Sequence, residues 1–266
     1  YKVNVKKLSL QDIFQPRSGM KSHTTRYRIC TCDVDIRKNY KAFSFMNQAQ
    51  EIANYHASRI GFGYDDLIKD NIVWVLSRMK VRFLQSPKWE DEVQLTTWHK
   101  GREGVFSLRD FELTSADGST VLVQATSSWL LIDVDTRRML RPDHVLGDKS
   151  TATALDRNAI AETCGKLVPP AGEMEHARTH RIMYSDIDFN SHTNNAKYVE
   201  WAFDTVPAEA LASGGGIDSF QINFNHETRL GDTVELFRIS PSPEDYFIEG
   251  RCADKAVFQA SIRLKP

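Results

Sequence analysis

Hydrophobic and polar positions along this chain follow two periods by turns. Over residues 43–56 apolar side chains recur every three or four positions, at Phe43, Met46, Ala49 and Ala53, with Asn47, Gln50 and His56 among them. That spacing predicts a helix that mixes apolar and polar faces. A second run, Tyr198, Val199, Trp201, Ala202 and Phe203, predicts another helix. After each helix the period drops to two, as in Val93-Gln94-Leu95-Thr96-Thr97-Trp98. Strands are predicted at 72–84, 92–99, 105–113 and 120–132, and again at 220–225, 233–239, 246–251 and 257–264. Ala116-Asp117-Gly118-Ser119 marks one hairpin turn, and Pro241-Ser242-Pro243 marks another turn.

The chain repeats itself. Arg28-Ile29-Cys30-Thr31-Cys32-Asp33-Val34-Asp35 resembles Arg181-Ile182-Met183-Tyr184-Ser185-Asp186-Ile187-Asp188 at a constant offset of 153. After each helix a second match pairs the segment from Phe83 to Leu95 with that from Phe224 to Leu236, at an offset of 141. Two matches in the same order argue for duplication, with a shorter connection between helix and strand in the second copy. Each copy then reads as a short strand, one long helix and a four-strand meander. An antiparallel sheet with one apolar face needs a cover, and a single helix supplies it. The predicted fold class is therefore α+β, a tandem double hotdog with one long helix packed on an antiparallel sheet in each repeat. Residues 1–20 read as a peripheral arm, 21–145 as the first hotdog, 146–174 as a linker and 175–266 as the second. Within the linker, the run from Lys149 to Ala154 predicts an exposed crossing.

Composition excludes several classes. Apolar residues make up 41% and charged residues 26%, as in a globular chain, and the 266 residues allow two ordinary domains. A net charge of −1 carries no nucleic-acid signature, and no apolar run approaches the ~20 residues of a membrane span. The four cysteines, Cys30, Cys32, Cys164 and Cys252, complete no zinc set. Cys30 and Cys32 share one side of a predicted strand, and all four read as buried free thiols. Few cysteines and no secretory h-region at the start point to a bacterial cytoplasm.

The window most suggestive of chemistry is Asp188-Phe189-Asn190-Ser191-His192-Thr193-Asn194-Asn195. If it is extended, Asp188, Asn190 and His192 point to one side, just before a helix N-terminus whose N–H groups favour developing negative charge. Two readings stand: a capping loop, since Asp and Asn are common caps, or a set of groups aimed at a carbonyl. The copies differ here. Arg37 stands where Asn190 is, Asn39 where His192 is, and Ser86 where Glu227 is. The second copy therefore holds the reactive set, and Glu227, at the end of a predicted strand, is its fourth member. His226 next door reads as structural.

The chain is similar to the acyl-acyl carrier protein thioesterases, a family shared by plant plastids and some bacteria. The resemblance covers most of residues 21–266. It rests on Tyr184 to Tyr198, on Trp74-Val75-Leu76-Ser77-Arg78-Met79, and on Ser127-Ser128-Trp129 through Thr136-Arg137-Arg138. It implies a double hotdog and hydrolysis of fatty acyl thioesters, without metal or cofactor. By motif, Asp188, Asn190 and His192 match the family's catalytic positions. Glu227 matches the acidic residue that plant members place before a Cys, but Thr228 stands at that Cys position, and a threonine hydroxyl needs strong activation to act as a nucleophile. Glu227 is then the expected base or nucleophile, His192 its orienting partner and proton donor, Asn190 the holder of water or carbonyl oxygen, and Asp188 the residue that fixes His192 or Asn190. Backbone N–H groups near Asn194 and Asn195 are expected to meet the oxyanion. The resemblance places the acyl chain in the first copy, with Met46, Ala49, Ala53, Trp74, Leu76 and Phe106 as expected liners. The partner it implies is an acidic carrier protein, for which Arg137, Arg138 and Arg141 form one basic cluster and Lys80 with Arg82 another. The working unit is expected to be a monomer or a homodimer. The rival readings are an acyl-coenzyme A thioesterase, a hotdog dehydratase, and an acyl-binding module without catalysis.

Overall fold

A computed structural model describes residues 20–147, 151–213 and 215–266. Most of the predicted N-terminal arm and two residues of the predicted crossing, Lys149 and Ser150, lie outside them. The first half contains β1 (Ser22–Arg28), helix α1 (Ala42–Arg59), a short α2 (Tyr64–Leu67), β2 (Ile72–Phe83), β3 (Glu92–Glu103), β4 (Phe106–Ser115), β5 (Val121–Asp133), β6 (Met139–Leu140) and α3 (Pro142–Leu146). The second contains β7 (Glu175–Arg181), α4 (Asn195–Asp204), α5 (Ala208–Ser213), β8 (Ile217–Phe224), β9 (Thr233–Ile239), β10 (Asp245–Cys252) and β11 (Lys255–Leu264).

All these strands join one antiparallel sheet, in the order β1-β3-β4-β5-β2-β8-β11-β10-β9-β7, with β6 paired to β5. The order is a mirror image about the β2–β8 seam, where Met79 faces Ile222 and Val81 faces Phe220. This is the double hotdog, but neither half is a four-strand meander. β3, β4 and β5 meander, whereas β2 crosses to the far side of β5. The physical reason is the seam: from there β2 offers its second edge to β8, so neither central edge is left bare.

Both helices form because their apolar residues fall on one stripe. Ala42, Ser44, Phe45, Met46, Ala49, Ile52, Ala53 and His56 are the buried positions of α1, the apolar ones at helical spacing, and the helix stops before Gly61 at φ 79°. On α4 the buried set is Ala196, Tyr198, Val199, Trp201 and Ala202, and the Asn194 side chain caps the start by accepting from the Ala196 N–H at 2.8 Å. Each fully buried Phe, Met or Ile contributes roughly 1.5–3 kcal/mol. The core they build, which includes Phe45, Val81, Phe111, Ile222 and Phe258, runs through both halves without a break. The shorter second copy is shortened largely in the helix itself, ten residues against eighteen. The C-terminal part of α1 therefore has no counterpart in α4.

Two other expectations fail. The strand at residue 22 ends at Arg28, and Thr31–Asp33 form a 3-10 turn because the Asp33 carboxylate accepts the Cys30 N–H. Cys30 and Cys32 are consequently exposed; Cys164 is buried and Cys252 partly so, all four free. In the described part of the predicted crossing Thr151 and Ala152 are exposed and Thr153 and Ala154 partly so, whereas the rest of the linker is held down. It lies along the outer face of the first half, where Trp98 donates to the Arg157 carbonyl, the Ala159 N–H donates to Asp110, and Arg78 donates to the Cys164 carbonyl. Among the described residues no helix is long and apolar enough to cross a membrane.

Candidate active site

The segment 188–192 is a tight loop, not an extended strand. The Asp188 N–H donates to the His192 carbonyl at 2.9 Å, the Ser191 N–H to the Asp188 carbonyl at 3.0 Å, and Ser191 takes φ 63°. The Asp188 carboxylate accepts the Asn190 N–H at 2.9 Å. Alternation therefore does not bring the three side chains together; the turn does. The first copy repeats the loop. Asp35 N–H donates to the Asn39 carbonyl at 2.9 Å, its carboxylate accepts the Arg37 N–H at 2.8 Å, and Lys38 has φ 63°. An aspartate with the same bonds in both copies is the frame of the loop, and what differs between the copies is what the frame carries.

In the second copy it carries His192 toward the loop after β8. His192 Nε2 lies 3.2 Å from Glu227 Oε2, and the other oxygen, Oε1, lies 2.6 Å from Arg137 Nη2. Asp188, Asn190, His192 and Glu227 all line one cavity of about 790 Å³, together with Arg137 from the first half. Gln50 of α1 bridges the halves at this point: it donates to the Asn194 side chain at 3.2 Å and accepts from the Asn195 side chain at 2.9 Å. The start of α4 is only partly available for an oxyanion. The Asn194 N–H is committed to the Asp186 carbonyl at 2.8 Å and the Ala196 N–H to the Asn194 cap, which leaves the Asn195 N–H. Asp186 itself is buried, 2.9 Å from His180 and 3.8 Å from Lys197.

Thr228 turns away. It is 1% exposed, with Oγ1 at 2.8 Å from Thr193 Oγ1 and 2.7 Å from the Tyr198 hydroxyl, and it does not line the cavity. Burial raises the Tyr198 hydroxyl above its usual range, despite the Thr228 bond. His226 is on the surface side, at the edge of the cavity.

The cavity extends under the part of α1 that α4 lacks. Of the expected acyl-chain liners, Ala53, Trp74 and Leu76 are on its wall. Met46 and Ala49 are 0% and 1% exposed in the core, because their side of α1 meets the sheet. Phe106 packs its ring against the Arg78 guanidinium at 5.0 Å instead. Of the basic residues, Arg137 is inside the site, and Arg138 and Arg141 are exposed on the neighbouring hairpin. Arg82 pairs with Glu162 of the linker at 3.3 Å, on the opposite face from the cavity. At the mouth, Phe189 and Tyr64 stack edge to face with ring centres 5.5 Å apart.

Sequence reasoning missed three residues here. Arg137 was read only as surface charge; Gln50 looked like an ordinary polar position on a helix; and Arg109, buried at the inner end of the cavity beside His56, gave no local signal. Burial, reinforced by the Arg109 charge, lowers His56 to about 3, so the ring is neutral. Burial lowers Arg109 to about 10, so it stays charged at neutral pH.

Residues 20–146 match the acyl-ACP thioesterase N-terminal domain, and residues 171–256 match the acyl-ACP thioesterase C-terminal domain. The oleoyl-acyl carrier protein thioesterase 2 of Arabidopsis thaliana is 25% identical over 240 residues, 84% of this chain and 64% of that protein. The palmitoyl-acyl carrier protein thioesterase of Gossypium hirsutum is 32% identical over 181 residues, 64% of this chain and 43% of that protein. The chain thus spans less than two thirds of the length of these relatives. Among solved structures, the 12:0-ACP thioesterase from Umbellularia californica superposes with a TM-score of 0.79 at 25% identity, over 92% of this chain and 97% of that one. An acyl-ACP thioesterase from Bacteroides thetaiotaomicron gives 0.77 at 24%, over 92% and 98%. The two domain matches fall in order on the two halves of the sheet, and the chain belongs to the acyl-ACP thioesterase family.

Proposed function

We propose that this protein hydrolyses fatty acyl-acyl carrier protein thioesters and releases free fatty acid. The observation that carries the reading is the 3.2 Å contact between His192 and Glu227 on the wall of a cavity of about 790 Å³ that Ala53, Trp74 and Leu76 also line. In the reaction a water on the Glu227 side attacks the thioester carbon. Glu227 takes one water proton as the C–O bond forms, and the carbonyl oxygen becomes an oxyanion facing the Asn195 N–H and the Asn190 amide. As the C–S bond breaks, His192 gives its proton to the departing thiolate, and the proton on Glu227 passes back to His192 across their contact. Arg137 on Oε1 leaves Oε2 for this work. With both oxygens flanked by cationic or imidazole groups, Glu227 suits a base better than a nucleophile that must form an anhydride. Asp188 is a positioning residue that holds the loop.

The carrier protein would approach the mouth at Phe189 and Tyr64. Arg138 and Arg141 would meet its acidic surface, and Arg137 the phosphate of the prosthetic arm. The halves pair within one chain, which supports a monomer as the working unit. Exposed free Cys30 and Cys32 suit a reducing compartment, and we keep the bacterial cytoplasm as the setting.

The test is thiol release from carrier-protein esters of C8 to C18 acids, beside the matching coenzyme A esters, with the unaltered protein and Glu227→Ala. Release from carrier-protein esters that falls by ~10²–10⁴-fold in the variant is expected. Equal rates with coenzyme A esters would reassign the substrate, and no release from any ester would overturn the reading.

A further inference from the structure

The inner end of the cavity is polar, although a saturated acyl chain needs only an apolar wall. Arg109 of β4 faces His99 of β3 across the ladder, and both line the cavity with Ser107. Arg109 is 9% exposed. Its guanidinium works through Nη1, at 2.8 Å from His56 Nδ1 and 3.2 Å from Thr97 Oγ1, and among the described residues no carboxylate pairs with it. Strand alternation explains why. The nearby acids of β4, Asp110 and Glu112, project to the other face, where Asp110 meets Lys100 at 3.2 Å and Glu112 meets Arg157. His56 is neutral and acts as an acceptor, so it is no counter-ion. A buried cation without counter-charge is poorly solvated, and a ligand oxygen at the unused guanidinium edge would offset that cost.

The position suits the distal part of an acyl chain. Gln50 holds the catalytic end of the cavity and His56 holds Arg109, and the two are six residues apart on α1, about 9 Å at ~1.5 Å per residue. We propose that Arg109, with His99 and Ser107, forms a subsite for an oxygen-bearing group, a carboxylate or a hydroxyl, on the distal part of the acyl chain. The inference rests on the thioesterase reading for its substrate and narrows that substrate to oxygenated acyl thioesters.

The experiment compares carrier-protein esters of decanoic and dodecanoic acid with their ω-hydroxy and ω-carboxy counterparts, using the unaltered protein, Arg109→Met and Arg109→Lys. The expected result is a kcat/KM at least tenfold higher for one oxygenated series. The preference should be lost or inverted in Arg109→Met and partly kept in Arg109→Lys. Preference for the carboxylate alone, for the hydroxyl alone, or for both oxygenated ends identifies which group the subsite takes. Equal or better turnover of the plain chains, with a ratio that Arg109→Met leaves unchanged, overturns the proposal. Calorimetry separates this from the hydrolase question. Dodecanedioic acid or 12-hydroxydodecanoic acid should bind Glu227→Gln protein more tightly than dodecanoic acid, and Arg109→Met should abolish the difference. That preference would establish the subsite even if no ester were hydrolysed, and its absence would refute it even if all were.

Discussion

Thr228 stands where the family resemblance implies a cysteine, so replacing it with valine asks whether a side chain at this position takes part in the chemistry. Valine matches threonine in shape and opens no cavity, which confines the loss to hydrogen bonds. Two are removed, at 2.8 Å to Thr193 and 2.7 Å to Tyr198. Each neutral bond contributes about 1 kcal/mol net, and a buried hydroxyl left without its partner costs about 1–3 kcal/mol. Tyr198 is only 3% exposed, so water cannot replace Thr228 without rearrangement. The sum is about 2–4 kcal/mol, which for a chain of this size lowers Tm by roughly 5–15 °C. Thiol release per folded molecule, read at 25 °C with a chromogenic thiol reagent, should stay within about threefold, since the oxygen faces the core and the proposed mechanism gives the role of base to Glu227. A variant that melts at the original temperature would show that the Thr193–Thr228–Tyr198 network contributes nothing. A folded variant slowed by ~10²-fold or more would make the hydroxyl a participant and sink the carboxylate mechanism.

Other outcomes follow from the same geometry. Arg137→Met should reduce kcat/KM about tenfold through the freed Glu227 carboxylate, yet lower Tm by no more than about 4 °C, because half-exposed ion pairs contribute only ~0–1 kcal/mol; a larger fall in Tm would contradict this. Ala53→Phe, on the cavity roof, should shift the preferred ester to shorter chains without loss of the His192–Glu227 contact, which an ester panel reads directly. His56 is neutral in the fold, near Arg109, His23 and His99, with its folded value of about 3 below the unfolded value of 6.5. Between those limits the unfolded chain binds the extra proton, so stability falls as pH drops from about 6.5 toward 3, by at most about 1.4 kcal/mol per unit. His56→Gln, which keeps an acceptor for Arg109, should flatten that limb of a Tm-against-pH curve; an unchanged limb would remove His56 as its cause.

The fold could be read largely from periodicity and self-similarity. The strand at 233–239 was placed at its observed bounds, and the offset of 153 relates β1 to β7 along their whole length. Strand order could not be read, since a pattern of alternating residues says which face is buried but not which neighbour lies at each edge. The crossing of β2 belongs to that second class of information. Motif spacing singled out Asp188, Asn190, His192 and Glu227, which line one cavity, but from the wrong geometry: the segment is an Asx turn with Ser191 in the left-handed region, not an extended strand. Arg137 and Gln50 act across 90 and 144 residues of chain, respectively, to reach Glu227 and Asn194, and no local pattern encodes such a meeting. Met46 and Ala49 were misplaced because an apolar stripe does not reveal which residues face a cavity and which face solid core.

The antiparallel pairing of β2 with β8 has a consequence for how such a molecule is counted. A single half carries a bare central edge, an open template for a second copy of itself, and the approximate two-fold at the seam describes the homodimer that would result. That dimer would have two equivalent clefts. Fusion in one chain fixes the stoichiometry at one of each half and frees the clefts from symmetry. One half could then lose the imidazole and carboxylate while extending its helix, and the other keep the reactive groups while shortening its own. The result is half as many candidate sites per pair of folds, each enclosed by two halves that differ in sequence, which no symmetric assembly of identical halves could provide.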